Sequence, residues 1–422
     1  MNSRVSPSQD LPLSRPLGES EGRSRALWRA AIATLAILPI GMAIAHRSSP
    51  AFLGVAAMLA MLALASEGRL SEFVKDARAI LSTRLGLTVL AFLVWSVVSV
   101  GWSEFPVASL FALGEFWLSV AFAFVLAVTL PGRMTRQSFW LLATSCALAA
   151  IMMLAELSTG MALRRALHVR PNTFIFNRPM LTLMLLLPVV AGFLAGRRTI
   201  GVVAAIGLSA LVAFAIGRSE SGAAFLGVYA AMAIFILAWL GPRLVTRAAA
   251  IAFVAVLALA PLLGPLGDRA IPASVHERLA NDHSRDRIDI WLSFGDAIWQ
   301  DPILGGGFGV SPLMDKTSVA RKVAPEHRQL LGVGHPHNAA IQIWAELGIV
   351  GVVLTLLIVL QILRSIARQQ RIVASAALAL MAGATAVALV GHGAWQGWWA
   401  ASLGAAIVWL LALRRMKQET IR

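Results

Sequence analysis

Twelve long apolar runs divide this chain: 27–45, 51–66, 85–102, 107–130, 138–156, 179–195, 199–216, 222–240, 248–266, 338–362, 372–391 and 395–413. Most reach the ~17–25 residues that carry a helix across hydrocarbon, where each backbone N–H and C=O must be satisfied within its own helix. The run 51–66 is the shortest. Residues of the set AVILMFWYC make up 58% of the 422 and charged residues only 14%, against roughly a quarter charged in soluble domains. A soluble core could not hide that much apolar surface. The sequence predicts an all-α polytopic membrane protein of about twelve transmembrane helices.

The charges then give orientation. The net charge of +15 is almost wholly arginine. In a soluble chain it would suggest nucleic acid, but here the cations lie between apolar runs, which points to the positive-inside rule and to a lipid bilayer as the partner. With both ends cytoplasmic, the inner tails and loops hold 22 of the 36 Lys+Arg and the outer loops 14, of which twelve fall in just two segments, 157–178 and 267–337. The division is a cytoplasmic tail 1–26, spans one to nine over 27–266, an outer loop subdomain 267–337, spans ten to twelve over 338–413, and a cytoplasmic tail 414–422. The N-terminal stretch lacks a small-residue cleavage pattern and reads as a tail, not a signal peptide. A lone Cys146 rules out an internal disulfide and cysteine-built metal or iron–sulfur sites. Trp102, Trp140, Trp239, Trp344, Trp395, Trp398 and Trp399 fall near run ends, as an interfacial belt predicts.

The two cationic outer segments run against the topological preference, so something must favour them. Arg164, Arg165, Arg170 and Arg178 follow Glu156 with no further acid; an anionic partner at the outer surface accounts for them, as would lipid headgroups. All eight histidines, His46, His168, His276, His283, His327, His335, His337 and His392, also fall outside in this topology.

Segment 267–337 is too long for a connection and carries its own helical pattern. Ser284 is a candidate N-cap for a helix to about Trp299, with Ile288, Trp291, Leu292, Ile298 and Trp299 on one apolar face. Arg285 and Arg287 sit in its first turn, where free N–H groups and guanidinium groups suit a phosphate; pairing with Asp282, Asp286 or Asp289 is the equal alternative. Gly305, Gly306, Gly307 and Gly309 either present amides to an anion or form a tight turn. His335-Pro336-His337-Asn338 closes the loop at the start of span ten. A histidine there can take a proton near neutral pH; capping by His337 and Asn338 is the structural alternative. A metal would need a third ligand that no spacing supplies. Glu115 and Glu346 lie within spans, and both are expected to be structural.

Arg287 with Trp291, then Gly305–Gly309, then His335-Pro336-His337-Asn338, then Glu346-Leu347-Gly348 with Gly351, resembles the O-antigen ligase and polymerase superfamily of membrane glycosyltransferases. The motif stretch covers 285–351, and a large loop between spans nine and ten matches too. Many relatives carry a Ser-Arg-Gly-like element after span seven; here Arg218 is displaced and Glu220 stands where the arginine is expected.

The resemblance implies a GT-C-like fold with a partly helical periplasmic loop in a Gram-negative inner membrane. Its implied donor is polysaccharide on undecaprenyl diphosphate, and for a ligase the acceptor is lipid A–core oligosaccharide. The transfer would be inverting and metal-independent, without cofactor. Diphosphate is a good leaving group that needs charge stabilisation, and a sugar hydroxyl needs a base. His337 is then the base, oriented by Asn338 and His335. Arg285 and Arg287, aided by Arg218, would hold the diphosphate, and Arg164, Arg165, Arg170 and Arg178 donor or acceptor phosphates.

The nearest competing readings are an O-antigen polymerase and a protein O-oligosaccharyltransferase. A transporter or flippase for an anionic lipid would place charges at mid-membrane, and these are few. Metal-dependent transfer through Asp286 and Asp289 is a minority mechanism.

Overall fold

The computed structural model describes residues 17–168, 170–197, 199–272, 274 and 284–419; His276, Asp282 and His283 lie outside them, as does the Ser284 side chain. Among the described residues the chain is helical throughout, without strands. In order come α1 (Leu17–Ala36), α2 (Leu38–Ile44), α3 (Ser49–Ser66), α4 (Leu70–Leu81), α5 (Arg84–Val98), α6 (Pro106–Thr129), α7 (Arg136–Ser158), α8 (Ala162–Ala166), α9 (Asn177–Ala195), α10 (Thr199–Gly217), α11 (Gly222–Leu240) and α12 (Pro242–Leu259). They are followed by α13 (Leu263–Ala270), α14 (Ser284–Gln300), α15 (Ser318–Lys322), α16 (Pro325–Arg328), α17 (Ala339–Ile366), α18 (Arg371–Val390) and α19 (Gly397–Glu419).

Eleven helices among the described residues are long and apolar enough to cross a membrane, and the α1–α2 pair, bent by 51°, makes a twelfth. The bend falls at Ile37, where Pro39 in the first turn of α2 lacks the N–H that would carry the helix through. Gly41 lets the Phe52 ring of α3 lie against α2; an added Cβ would sit 2.2 Å from that ring. All twelve runs are therefore helical, including the short one, which forms α3. Helix α4, amphipathic and with no buried residue, has no counterpart among the apolar runs.

The span containing α9 is the most enclosed: 83% of its apolar window is buried. Its Phe193 stacks on Phe139 of α7 with centroids 4.6 Å apart. Contacts define two ends of the bundle. At one, Trp28 Nε1 donates to Glu67 (2.6 Å), the Arg133 guanidinium lies over the Trp28 ring (3.8 Å), and Lys417 Nζ donates to the Gly196 carbonyl (3.2 Å). At the other, Ser49 Oγ donates to Trp398 O (2.8 Å) and Arg164 donates to Ala43 O (3.1 Å).

Several tryptophans do not form the lipid-facing belt expected of them. Trp395, Trp398 and Trp399 are buried. Trp102 Nε1 donates to Gly305 O (3.1 Å) and Trp344 Nε1 to Leu257 O (2.7 Å), so both pin one segment to another. Trp140 and Trp239 stay exposed, as a belt requires.

The span formed by α17 is broken. Gly348 adopts φ 59, ψ −162 inside it, and Ile349 N donates to Pro302 O (2.9 Å). An added Cβ at Gly348 would lie 2.1 Å from Ile303 O, so only glycine lets the loop backbone enter the helix there.

Candidate active site

The glycine loop after α14 closes around a carboxyl group of the chain itself. Glu346 is fully buried and accepts from Gly309 N, Ser311 N (3.2 Å), Gln342 Nε2 (2.9 Å) and Trp395 Nε1 (2.6 Å). Gly306 N and Gly307 N donate to the carbonyls of Ala345 and Glu346, both at 2.8 Å. Gly305, Gly307 and Gly309 all have positive φ. Of the two options for these glycines, an external anion or a tight turn, the structure has their described amides engaged internally. The same network ties down the 391–397 turn, because Gln342 Oε1 accepts from Ala394 N (2.8 Å).

This turn faces the His335–Asn338 motif. His337 adopts φ 51, a left-handed conformation uncommon outside glycine and asparagine. Its Nδ1 lies 2.7 Å from the Gly391 carbonyl. A carbonyl can only accept, so Nδ1 carries a proton, and in the neutral ring Nε2 is the nitrogen with the available lone pair. The His335 ring lies 4.2 Å from that of His337, and its Nδ1 accepts from His337 N (3.3 Å). Burial pushes His335 down to about 4, helped by His337 and His392. Asn338 does not orient the imidazole; its side chain caps α17 by accepting from Ala340 N (3.0 Å) and Ile341 N (3.2 Å). The Gly391 carbonyl takes the orienting role expected of Asn338.

Two neighbours were not singled out from sequence. His392 packs edge-on against Trp398 with ring centroids 5.0 Å apart. Burial, then Arg178, then His337, lowers it to about 4. Arg178, one of the four outer arginines, lies over the Trp398 ring at 5.1 Å. Arg47 is the second: His46 is held below the ordinary histidine value by burial, then by Arg178, Arg47 and Arg164, which marks an electropositive corner. Glu115 holds the same turn by accepting from Gly397 N (2.9 Å). Both intramembrane carboxyl groups are thus structural ties, as expected.

From the other side, α14 meets the motif through Trp291, whose Nε1 donates to the Pro336 carbonyl (3.0 Å). Arg287 lies one turn earlier on the same helix, half-buried and without an acidic partner among the described residues. Arg285 differs. It is bound by Asp268 (2.6 Å) and Asp289 (2.8 Å), so the pairing alternative holds for it.

The remaining arginines divide similarly. Arg164 donates to Ala43 O and Ile44 O and pairs with Glu156 (3.9 Å), which makes it a brace between helices. Arg165 and Arg170 are exposed, as is Arg218 at the end of α10, where Glu220 accepts from Thr173 instead (2.6 Å). Among the described residues no group of three His, Cys, Asp or Glu side chains is placed to hold a metal ion.

An apolar cavity of about 920 Å³ opens beside the motif. It runs between α11, α12, α17 and α18, from Ala339 and Ala340, just past Asn338, to Leu240 and Leu244 at the far end.

Residues 204–356, from α10 to the broken span α17, match the O-antigen ligase family. A provisionally named polysaccharide ligase of Rickettsia felis is 25% identical over 335 residues, covering 78% of this chain and 79% of the relative. Another of that name, from Rickettsia typhi, is 29% identical over 210 residues, covering 49% of this chain and 50% of the relative, and one from Rickettsia conorii is 28% identical over 212. The chain thus spans about half the length of these last two. No solved structure matches it. The Arg287–Trp291, glycine-loop and His335–Asn338 elements, assembled at one end of the bundle, all fall within the stretch 204–356 that is similar to the O-antigen ligase family.

Proposed function

We propose that the protein is an O-antigen ligase that moves polysaccharide from undecaprenyl diphosphate to the lipid A–core oligosaccharide on the periplasmic side of a Gram-negative inner membrane. The observation that carries this reading is the His337 imidazole, its Nδ1 fixed by the Gly391 carbonyl, beside His392, which Arg178 also reaches electrostatically. A base held in that tautomer suits removal of a proton from a sugar hydroxyl as it attacks.

The acceptor oxygen bonds to the anomeric carbon while the bond from that carbon to the diphosphate oxygen breaks. Its electron pair leaves with the lipid diphosphate, and the hydroxyl proton passes to His337 Nε2. Direct displacement inverts the anomeric centre. Arg287 on one side and Arg178 on the other offer guanidinium groups for the charge on the leaving diphosphate, the role in which arginine serves without a metal. Arg165, Arg170 and Arg218 are exposed cations for donor or acceptor phosphates. The apolar cavity beside His337 supports a lipid-linked donor, since a channel lined this way suits a hydrocarbon chain.

The test is complementation of a null strain with His337→Asn and Arg287→Ala, with membrane levels of each variant checked. Asparagine tolerates the left-handed backbone at 337, so the substitution removes the base and leaves the turn intact. Lipopolysaccharide lacking polymer, with long polymer retained on undecaprenyl diphosphate, is the expected result. Core bearing a single repeat would make the protein a polymerase, and normal ladders would remove His337 and Arg287 from the chemistry.

A further inference from the structure

The end of the bundle opposite the histidines holds a second cavity, of about 930 Å³, formed where the α6–α7 turn, the α9–α10 turn and the end of α19 meet. Among the described residues four cations line it, Arg133, Arg136, Arg197 and Lys417, with Glu419 as the one carboxylate. Two of these five charges are already engaged. Arg133 lies over Trp28 and pairs with Glu67 (3.6 Å), and Glu419 pairs with Arg415 (3.6 Å). That leaves Arg136, Arg197 and Lys417 facing a shared space, with Arg136 and Arg197 both within electrostatic range of the Lys417 ammonium.

Cations scattered over loops would follow from topology alone, but these three converge on one cavity, and two of them are held. The Arg197 guanidinium rests against the Phe193 ring (4.8 Å) and the Trp140 ring (5.3 Å), which fixes its plane and leaves its N–H groups for a ligand. Lys417 spends one N–H on the Gly196 carbonyl (3.2 Å) and keeps two. The approach depends on Gly196, where a Cβ would lie 2.3 Å from Lys417 Nζ. Like charges gathered in one cavity repel, and a bound anion offsets that cost.

The walls describe the rest of the ligand. Ile200 is 85% exposed and Trp140 42%, both on the flank of the cavity, so a cationic floor continues directly into apolar surface that faces the bilayer. A phosphate joined to hydrocarbon matches both halves. We propose that this cavity binds the headgroup of an anionic phospholipid, its phosphate held by Arg136, Arg197 and Lys417 and its acyl chains along Ile200 and Trp140. The site is independent of the chemistry at His337.

The experiment is native mass spectrometry of the detergent-purified full chain titrated with phosphatidylglycerol, with phosphatidylcholine as the neutral comparison. Each cation at such a surface contributes on the order of fivefold in affinity. Arg197→Gln and Lys417→Gln should therefore each weaken the phosphatidylglycerol adduct about fivefold, and the triple variant with Arg136→Gln on the order of a hundredfold. Lys417→Arg keeps the charge and should keep the adduct, which separates ligand loss from misfolding. Arg78→Gln and Arg243→Gln remove cations at the same end but outside the cavity and should leave binding unchanged. Equal losses from those two would show a diffuse positive surface and overturn the proposal. So would equal binding of phosphatidylcholine, or inorganic phosphate at millimolar concentration saturating the site and displacing the lipid, which would make the ligand free phosphate.

Discussion

Glu346→Ala should break the clamp that holds the glycine loop, and the structure sets the size of the effect. Four donors converge on this carboxyl group: two backbone amides from the loop, the Gln342 amide and the Trp395 indole. Alanine orphans all four in a fully buried site, at about 1–3 kcal/mol each. The carboxyl's own desolvation, several kcal/mol, is relieved at the same time. The net loss is about 3–5 kcal/mol, as for a buried charge network broken on one side. At ~2–4 °C per kcal/mol this lowers the melting temperature by about 10 °C. Glu346→Gln keeps one acceptor oxygen but turns an NH₂ toward two donors, so it should fall in between. The assay is thermal unfolding of detergent-purified protein, with Glu115→Gln, which disturbs one backbone contact, as the comparison. An alanine variant that melts within about 2 °C of the parent would refute the claim that Glu346 organises this loop.

The two arginines at the start of α14 should separate cleanly. Arg287→Ala should reduce transfer by about 10²-fold in a lipid-linked donor assay, while Arg285→Ala, whose guanidinium is exposed and already bound by Asp268 and Asp289, should change it only a few-fold. His335 and His392 are both lowered from 6.5 to about 4. The unfolded chain therefore takes up protons first, so the stability from keeping these groups neutral is present above pH 6.5 and is lost as pH falls toward 4, by up to about 3 kcal/mol per group. Melting temperature measured from pH 7.5 to 4.5 should show this acid limb, and His392→Gln should flatten it. Gly348→Ala should prevent stable insertion, because its Cβ would overlap the Ile303 carbonyl and its φ of 59 disfavours a side chain; monodisperse, wild-type yield on size exclusion would contradict this.

The spans were legible because continuous apolarity is itself the physical cause of a membrane helix. Even the short run at α3 obeyed it, whereas α4, short and two-faced, left no such mark. The link between Arg287 and the histidine motif was legible in part: Trp291 lies one turn on, and the structure adds the hydrogen bond to Pro336. What orients His337 was not legible, because a backbone carbonyl 54 residues away has no signature in composition or spacing. The same holds for His392 and Arg178, which meet only when α9 and the turn before α19 pack together. For the glycines, sequence could tell that backbone must come close to something. Only the fold shows that the something is Glu346, about two turns into the span the loop precedes.

The break at Gly348 moves a mechanical boundary. The piece of α17 before it, Ala339–Leu347, rises only ~13 Å, too little to cross the bilayer by itself. It is joined to the preceding loop by four backbone or side-chain ties at Ala345 and Glu346, and a fifth, from Ile349 N to the Pro302 carbonyl, lies just past the break. The rigid unit that carries His337 therefore ends at residue 348 and not where the chain enters the apolar run. An exchange of loops between relatives that cuts at residue 337 would sever this unit, while one that cuts at 348 would carry it across whole.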